Sequence, residues 1–198
     1  VENGKFKKGY YSDALPKINI DRDFTDTTDC PTIQDLLLHL SNQDEETKEW
    51  LLNSIASSLI LNSDYKLKNG QLIRLYGAGG NGKSTFTKLL KSTFGFNNVY
   101  STKVDFLTSS HKYDLKNVVH SLIAVDEDAN ESFYSASASS LLKVLVTGES
   151  LSVREIYGKP IQTIPTCTII VASNHPFKSD DKTDGVHRRI AEIKTGNK

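Results

Sequence analysis

Ahead of a stretch with helical periodicity lies Gly77-Ala78-Gly79-Gly80-Asn81-Gly82-Lys83-Ser84, followed by Thr85. The spacing G-x-x-x-x-G-K-S, the Walker A pattern, has a mechanism behind it. Its glycines let backbone N–H groups turn inward around phosphate oxygens, and the N-terminus of the following helix adds partial positive charge. Lys83 is placed to neutralise the β- and γ-phosphates of a nucleoside triphosphate, and the Ser84 hydroxyl to ligate Mg²⁺. Residues 77–85 are therefore the expected phosphate cradle.

Acids that complete such a site are expected at the end of a buried strand. "SLIAVDED" supplies them: Asp126 would hold Mg²⁺ through Ser84 and water, and Glu127 would orient and deprotonate an attacking water. Asp128 reads as an ordinary loop acid. In "TIIVASNHP" the apolar run ends on Asn174, at the strand tip where parallel sheets bind ligands. There it could touch the γ-phosphate or the water, or it could be a turn residue before His175-Pro176. Near the end, "DGVHRRIAEI" carries Arg188 and Arg189, either a surface pair or a guanidinium delivered to a neighbouring subunit's γ-phosphate.

Elements must position these groups. "QLIRLYG" reads as a buried strand, "KSTFTKLLKSTFG" as a helix ending at Gly95, and "VVHSLIAVDED" as a second strand. A helix then ends at Gly148, "LSVREIYGKPIQTI" alternates around a Gly-Lys-Pro turn as a hairpin, and "TCTIIVASNHP" is a third strand. Strands alternating with helices imply an α/β fold with a mostly parallel sheet. Upstream, leucines at helical spacing predict two helices, the second starting near Gln43 or Asp44 with Trp50 as a core anchor; "NSDYKLKNG" reads as a turn. "KKGYYSDALPKINI" reads as irregular or strand-like. The expected division is 1–64, irregular and helical, and 65–198, the phosphate-loop core.

A hydrophobic fraction of 37% and no low-complexity tract predict an ordered chain. No window has the length of a membrane span, so no membrane association is expected. Zero formal net charge argues against a generally basic DNA-coating protein but leaves room for a local basic groove. Cys30 and Cys167 read as buried or idle thiols in a reducing, cytoplasmic compartment, and no zinc site is expected from histidine spacing. A chain that starts at Val and contains no Met reads as a piece of a longer protein.

Taken in order, the phosphate loop, "VDE", "LLKVLVTGESLSVREIYGKP", "TIIVASNHP" and "DGVHRRI" resemble the superfamily III helicases, with the primase-helicases of phages, poxviruses and mobile elements as the nearest branch. The resemblance spans roughly residues 33–193, counting the helical lead-in before the phosphate loop. It implies an AAA+-like ATPase core that hydrolyses ATP at subunit interfaces of a homo-oligomeric ring, usually a hexamer, and pulls single-stranded DNA through the pore inside a host cell. It also implies that Lys83 and Ser84 are the phosphate-loop pair, Asp126 and Glu127 the metal and water acids, and Asn174 the sensor. One of Arg188 and Arg189 would be the trans-acting arginine, Arg188 being slightly favoured. "VREIYGKP" occupies the place of a DNA-touching hairpin, where Arg154 and Lys159 would contact phosphates around a stacking Tyr157.

Glu149 departs from the Asp that the family often has after "TG", and flanking primase and C-terminal parts have no counterpart in the sequence. The competing class is another AAA+ machine, a helicase loader or protein remodeller. Such a remodeller would be expected to present apolar pore residues instead of Arg154 and Lys159. A small-molecule kinase would have less use for Glu127. A non-catalytic, nucleotide-gated oligomerisation module is the remaining alternative, and intact Lys83, Asp126 and Glu127 speak against it.

Overall fold

The computed structural model describes residues 20, 29–104, 115–130, 136–154, 158–178 and 184–196. Five strands form one sheet: β1 (Leu72–Tyr76), β2 (Val99–Ser101), β3 (Ile123–Ala129), β6 (Thr168–Ser173) and β7 (Ile190–Lys194), in the order β2-β3-β6-β1-β7. Every pairing in it is parallel. β4 (Leu151–Val153) and β5 (Ile161–Thr163) form a separate antiparallel hairpin. The helices are α1 (Pro31–Leu40), α2 (Glu45–Ser57), α3 (Ser63–Asn69), α4 (Lys83–Phe94), α5 (Leu115–His120), α6 (Ala136–Thr147) and the short α7 (Asp184–His187).

Parallel strands covered on both faces bury alternate residues on opposite sides. On one face Ile73 and Leu75 of β1, Ile123 and Val125 of β3 and Ile170 of β6 pack with Phe86, Leu90 and Phe94 of α4 and with Leu37, Leu40, Leu51 and Ile55 of α1 and α2. The lead-in helices thus share a core with the phosphate-loop helix. On the other face Leu72, Ala124, Ile169 and Val171 pack with α5, α6 and Val153, which anchors the base of the hairpin.

Local chemistry sets several boundaries. Asp44 caps α2, accepting from the Thr47 hydroxyl and from the Thr47 N–H at 3.0 Å, and these two bonds hold its carboxyl below the usual range. Trp50 is partly buried and packs against the α4-side core. Gly95 ends α4 with φ +88, a left-handed turn that glycine adopts without steric cost.

Four segments differ from the sequence expectation. "NSDYKLKN" is not a turn: Asn62 accepts from the Tyr65 N–H at 2.9 Å and starts α3, whose buried Lys66 ammonium donates to the Cys167 carbonyl. Val118, Val119 and His120 belong to α5, not to the strand, which starts only at Ile123. β2 and β7 were not foreseen; three-residue β2 is too short to show an alternation, and β7 gains its strand character by pairing with β1. Of the two thiols, both free, Cys30 is exposed and Cys167 is fully buried. The segment 7–20 falls, apart from Ile20, outside the described residues.

Candidate nucleotide-binding site

β1 ends at Tyr76, and the chain runs through the glycine-rich loop into α4, so the loop stands at the C-terminal edge of the sheet between a central strand and a helix N-terminus. Gly77 cannot carry a side chain there: a Cβ would lie 2.3 Å from Thr195 Oγ1 and 2.6 Å from Asn81 Nδ2. Gly82, at φ +89, begins α4 with its Cα side against Leu36, 3.2 Å from where a Cβ would stand, so α1 supports the loop from below.

The loop is also latched internally. Asn81 is buried; its amide donates to Thr195 Oγ1, which in turn donates to the Tyr76 carbonyl at 3.0 Å. Lys83 Nζ donates to Gly77 O at 2.7 Å, Ala78 O at 3.1 Å and Asn81 Oδ1 at 2.8 Å. Burial lowers the Lys83 pKa from its ordinary value, so three acceptors do not fully repay its desolvation. An anion entering the loop would supply the missing opposite charge.

An open cleft of about 380 Å³ faces this loop, lined by Gly79, Gly80, Asn81, Gly82, Lys83, Ser84 and Thr85 together with Glu127, Asp128 and Asn174. Ser84 and Thr85 are exposed to it. Glu127 pairs with Lys91 of α4 at 2.5 Å, which holds it on the α4 face of the sheet. Gly77 and Ala78 form the loop's first turn, and their carbonyls hold Lys83.

Asp126 is not brought to the cleft. Its carboxylate is 1% exposed and accepts from the Val104 N–H at 2.8 Å, Lys103 Nζ at 3.2 Å and the Asp128 N–H at 3.1 Å. Alternation explains this: Ala124 packs on the α5–α6 face, Asp126 follows it there, and Glu127 turns to α4. Asp128, not Asp126, lines the cleft. Between Asp126, opposite Val171, and Ala129, opposite Ser173, β3 carries one extra residue. This bulge breaks the alternation and turns Asp128 into the cleft. Three successive acids at a strand end were its only sequence signal, because they cannot all share one face.

Arg188 and Arg189 are not at the cleft either. The Arg189 carbonyl accepts from the Leu72 N–H at 2.8 Å, so both arginines stand at the start of β1, while the phosphate loop stands at its end. Four residue steps of strand separate the two by roughly 13 Å. Arg189 donates to the Gly185 carbonyl at 2.5 Å, whereas Arg188 is exposed. Both line a separate polar cleft with Lys68, Asn53 and Gln71. Arg154 and Lys159 are exposed on the connection between β4 and β5; Tyr157 lies outside the described residues.

The donor set at the loop fits the Mg²⁺ that accompanies a nucleoside triphosphate. Ser84, Glu127, Asp128 and Asn174 offer hard oxygens, and such an ion draws its remaining ligands from phosphates and water, not from an all-protein cage. Among the described residues no cluster of three or more His, Cys, Asp or Glu side chains stands ready for a metal by itself.

A parallel sheet with a glycine-rich loop between an interior strand and a flanking helix defines an α/β protein of the P-loop type. Residues 75–189 match a family of unknown function, DUF5906, and the chain belongs to it. No curated protein matches the sequence significantly. Among solved structures, the apo NrS-1 C-terminal region (305–718) superposes with a TM-score of 0.63 at 22% identity over 85% of this chain and 39% of that one. Its A-form apo structure gives 0.63 at 24% identity, covering 85% and 38%. JCV helicase, with a bound small molecule, gives 0.55 at 12% identity, covering 84% and 46%. The chain therefore shares the fold of these structures and spans less than half the length of each. Among the described residues no helix is long and apolar enough to cross a membrane.

Proposed function

We propose that this chain is the ATP-hydrolysing motor of a superfamily III-type DNA helicase, of the phage and mobile-element kind, working as a ring on single-stranded DNA. The cleft carries the proposal: one concavity gathers the phosphate loop, two acids from the tip of β3 and Asn174 from the tip of β6. Backbone N–H groups of residues 79–84 and the α4 N-terminus would hold the phosphates, with Lys83 leaving its loop carbonyls for the β- and γ-oxygens. Mg²⁺, held by Ser84 and a cleft carboxylate, would neutralise charge between those phosphates. Glu127 or Asp128 would take the proton of the attacking water, and Asn174 would orient that water or the γ-phosphate.

Arginines at the far end of β1 cannot serve their own cleft. That position supports a role across a subunit interface, with exposed Arg188 better placed than tethered Arg189. The exposed basic residues beside the hairpin support DNA contact. A steady-state ATPase assay at several protein concentrations, with and without single-stranded DNA, tests the whole reading. Stimulation by DNA that grows with concentration is expected. Hydrolysis indifferent to both would favour a self-contained NTPase and sink the ring motor.

A further inference from the structure

Arg74 is an arginine in the middle of a central strand, flanked by Ile73 and Leu75 and paired with Val171 on one side and Glu192 on the other. It is fully buried. An apolar residue would serve packing there at less cost, since a buried guanidinium must recover its desolvation through contacts. Its contacts are specific: one terminal nitrogen donates to Ser173 Oγ at 3.0 Å and to the His175 carbonyl at 2.9 Å, and Nε stands 3.5 Å from Glu192 Oε1.

These partners bracket Asn174. Ser173 and the His175 backbone are held on the Arg74 side, so the residue between them is presented to the opposite side, where it lines the cleft. The grip extends along the loop and across the sheet. Ser173 Oγ accepts from the His175 N–H at 3.2 Å and donates to the Ala129 carbonyl at 3.0 Å, directly after the bulge that exposes Asp128. Glu192 accepts from the Phe177 N–H at 2.5 Å. One side chain, three residues ahead of the phosphate loop, thus ties the middle of β1 and of β7 to the end of β6 and, through Ser173, to the end of β3.

We propose that Arg74 is a positioning residue of the nucleotide site: through Ser173, the His175 carbonyl and Glu192 it sets Asn174 and Asp128 at the distance from the phosphate loop that hydrolysis requires. It touches no reacting atom. The proposal rests on the nucleotide reading for its catalytic consequence, but its structural part stands independently. The phosphate loop is held by a different set of contacts, the Asn81–Thr195–Tyr76 latch and Lys83, so Arg74 would govern turnover more than binding.

The test uses the full chain with Arg74→Met, Arg74→Lys and the milder Ser173→Ala, the last guarding against a variant that fails to fold. Two readouts are taken: ATPase kinetics, and amide hydrogen exchange at His175 and Phe177. A catalytic group displaced by about 1 Å costs on the order of 100-fold in rate. For Arg74→Met, kcat is expected to fall by about 10- to 100-fold, with the Kd for a fluorescent ATP analogue within about threefold of wild type. Arg74→Lys should recover part of kcat, Ser173→Ala should lose less, and exchange at His175 and Phe177 should accelerate while α4 amides stay unchanged. Unchanged exchange at both amides in Arg74→Met and Ser173→Ala overturns the proposal. So does unchanged kcat beside an active wild type, or a lowered thermal midpoint as the sole effect. A wild-type chain that hydrolyses nothing would refute the motor, while the exchange data would still decide whether Arg74 holds the loop.

Discussion

Replacing Lys83 by Met separates chemistry from folding at this site. The ammonium bonds three acceptors of its own loop, yet burial still lowers its pKa, so without phosphate its charge is kept at a net cost. Removing it should therefore change folding stability by less than about 1 kcal/mol, the lost hydrogen bonds offsetting the relieved desolvation. For a chain of this length that is a shift of no more than about 4 °C in the thermal midpoint. Nucleotide linkage behaves differently. ATP with Mg²⁺ at 100 times its Kd should stabilise wild type by about 2.7 kcal/mol, which corresponds to roughly 5–11 °C. In Lys83→Met that rise should largely vanish, and ATPase should fall by about 10²–10³-fold, the loss typical of one donor aimed at developing charge. Thermal scans with and without ATP·Mg²⁺, paired with phosphate-release kinetics, make the measurement. A variant that keeps wild-type activity, or one that loses more than about 8 °C without nucleotide, refutes the reasoning.

The other expectations concern surfaces and charge. Arg154→Ala with Lys159→Ala should abolish stimulation by single-stranded DNA while basal ATPase stays intact, and unchanged stimulation would remove the hairpin from DNA contact. Arg188→Ala protomers mixed with wild type should depress activity below the wild-type fraction; strict proportionality would mean that Arg188 does not work across an interface. Burial holds the Lys66 pKa below 10.5, so the unfolded chain binds that proton more tightly than the folded one. The penalty is complete below the folded pKa and fades as pH climbs toward 10.5, where stability is regained. Urea midpoints of wild type and Lys66→Met should then converge in that direction across the alkaline range; a pH-independent difference would show that Lys66 does not titrate there.

Where the sequence was legible, the signal was local. The phosphate loop, α4 and its glycine stop, the Asp44 cap, β1, β6 and the hairpin each depend on residues within one or two turns of chain, and all lie where periodicity and turn chemistry put them. α3 escaped because its capping Asn62 and seven-residue length look like a turn, and because a buried Lys66 adds nothing to an apolar periodicity. α5 was absorbed into the following strand because Val118 and Val119 suit either element until the fold separates them from Ile123.

By itself, then, the sequence determined a strand–loop–helix of the P-loop type, since glycine freedom, a lysine at fixed spacing and a helix N-terminus are properties of contiguous backbone. Only the tertiary structure decided which acid reaches the cleft. A one-residue bulge in the pairing of β3 with β6 sends Asp128 in and leaves Asp126 saturated beneath it. The same holds for Arg188 and Arg189, sent to the opposite end of β1 by parallel pairing with β7, and for Arg74, whose contacts lie about a hundred residues away in Ser173 and Glu192. Register and face are set between strands distant in the chain, and no local pattern encodes them.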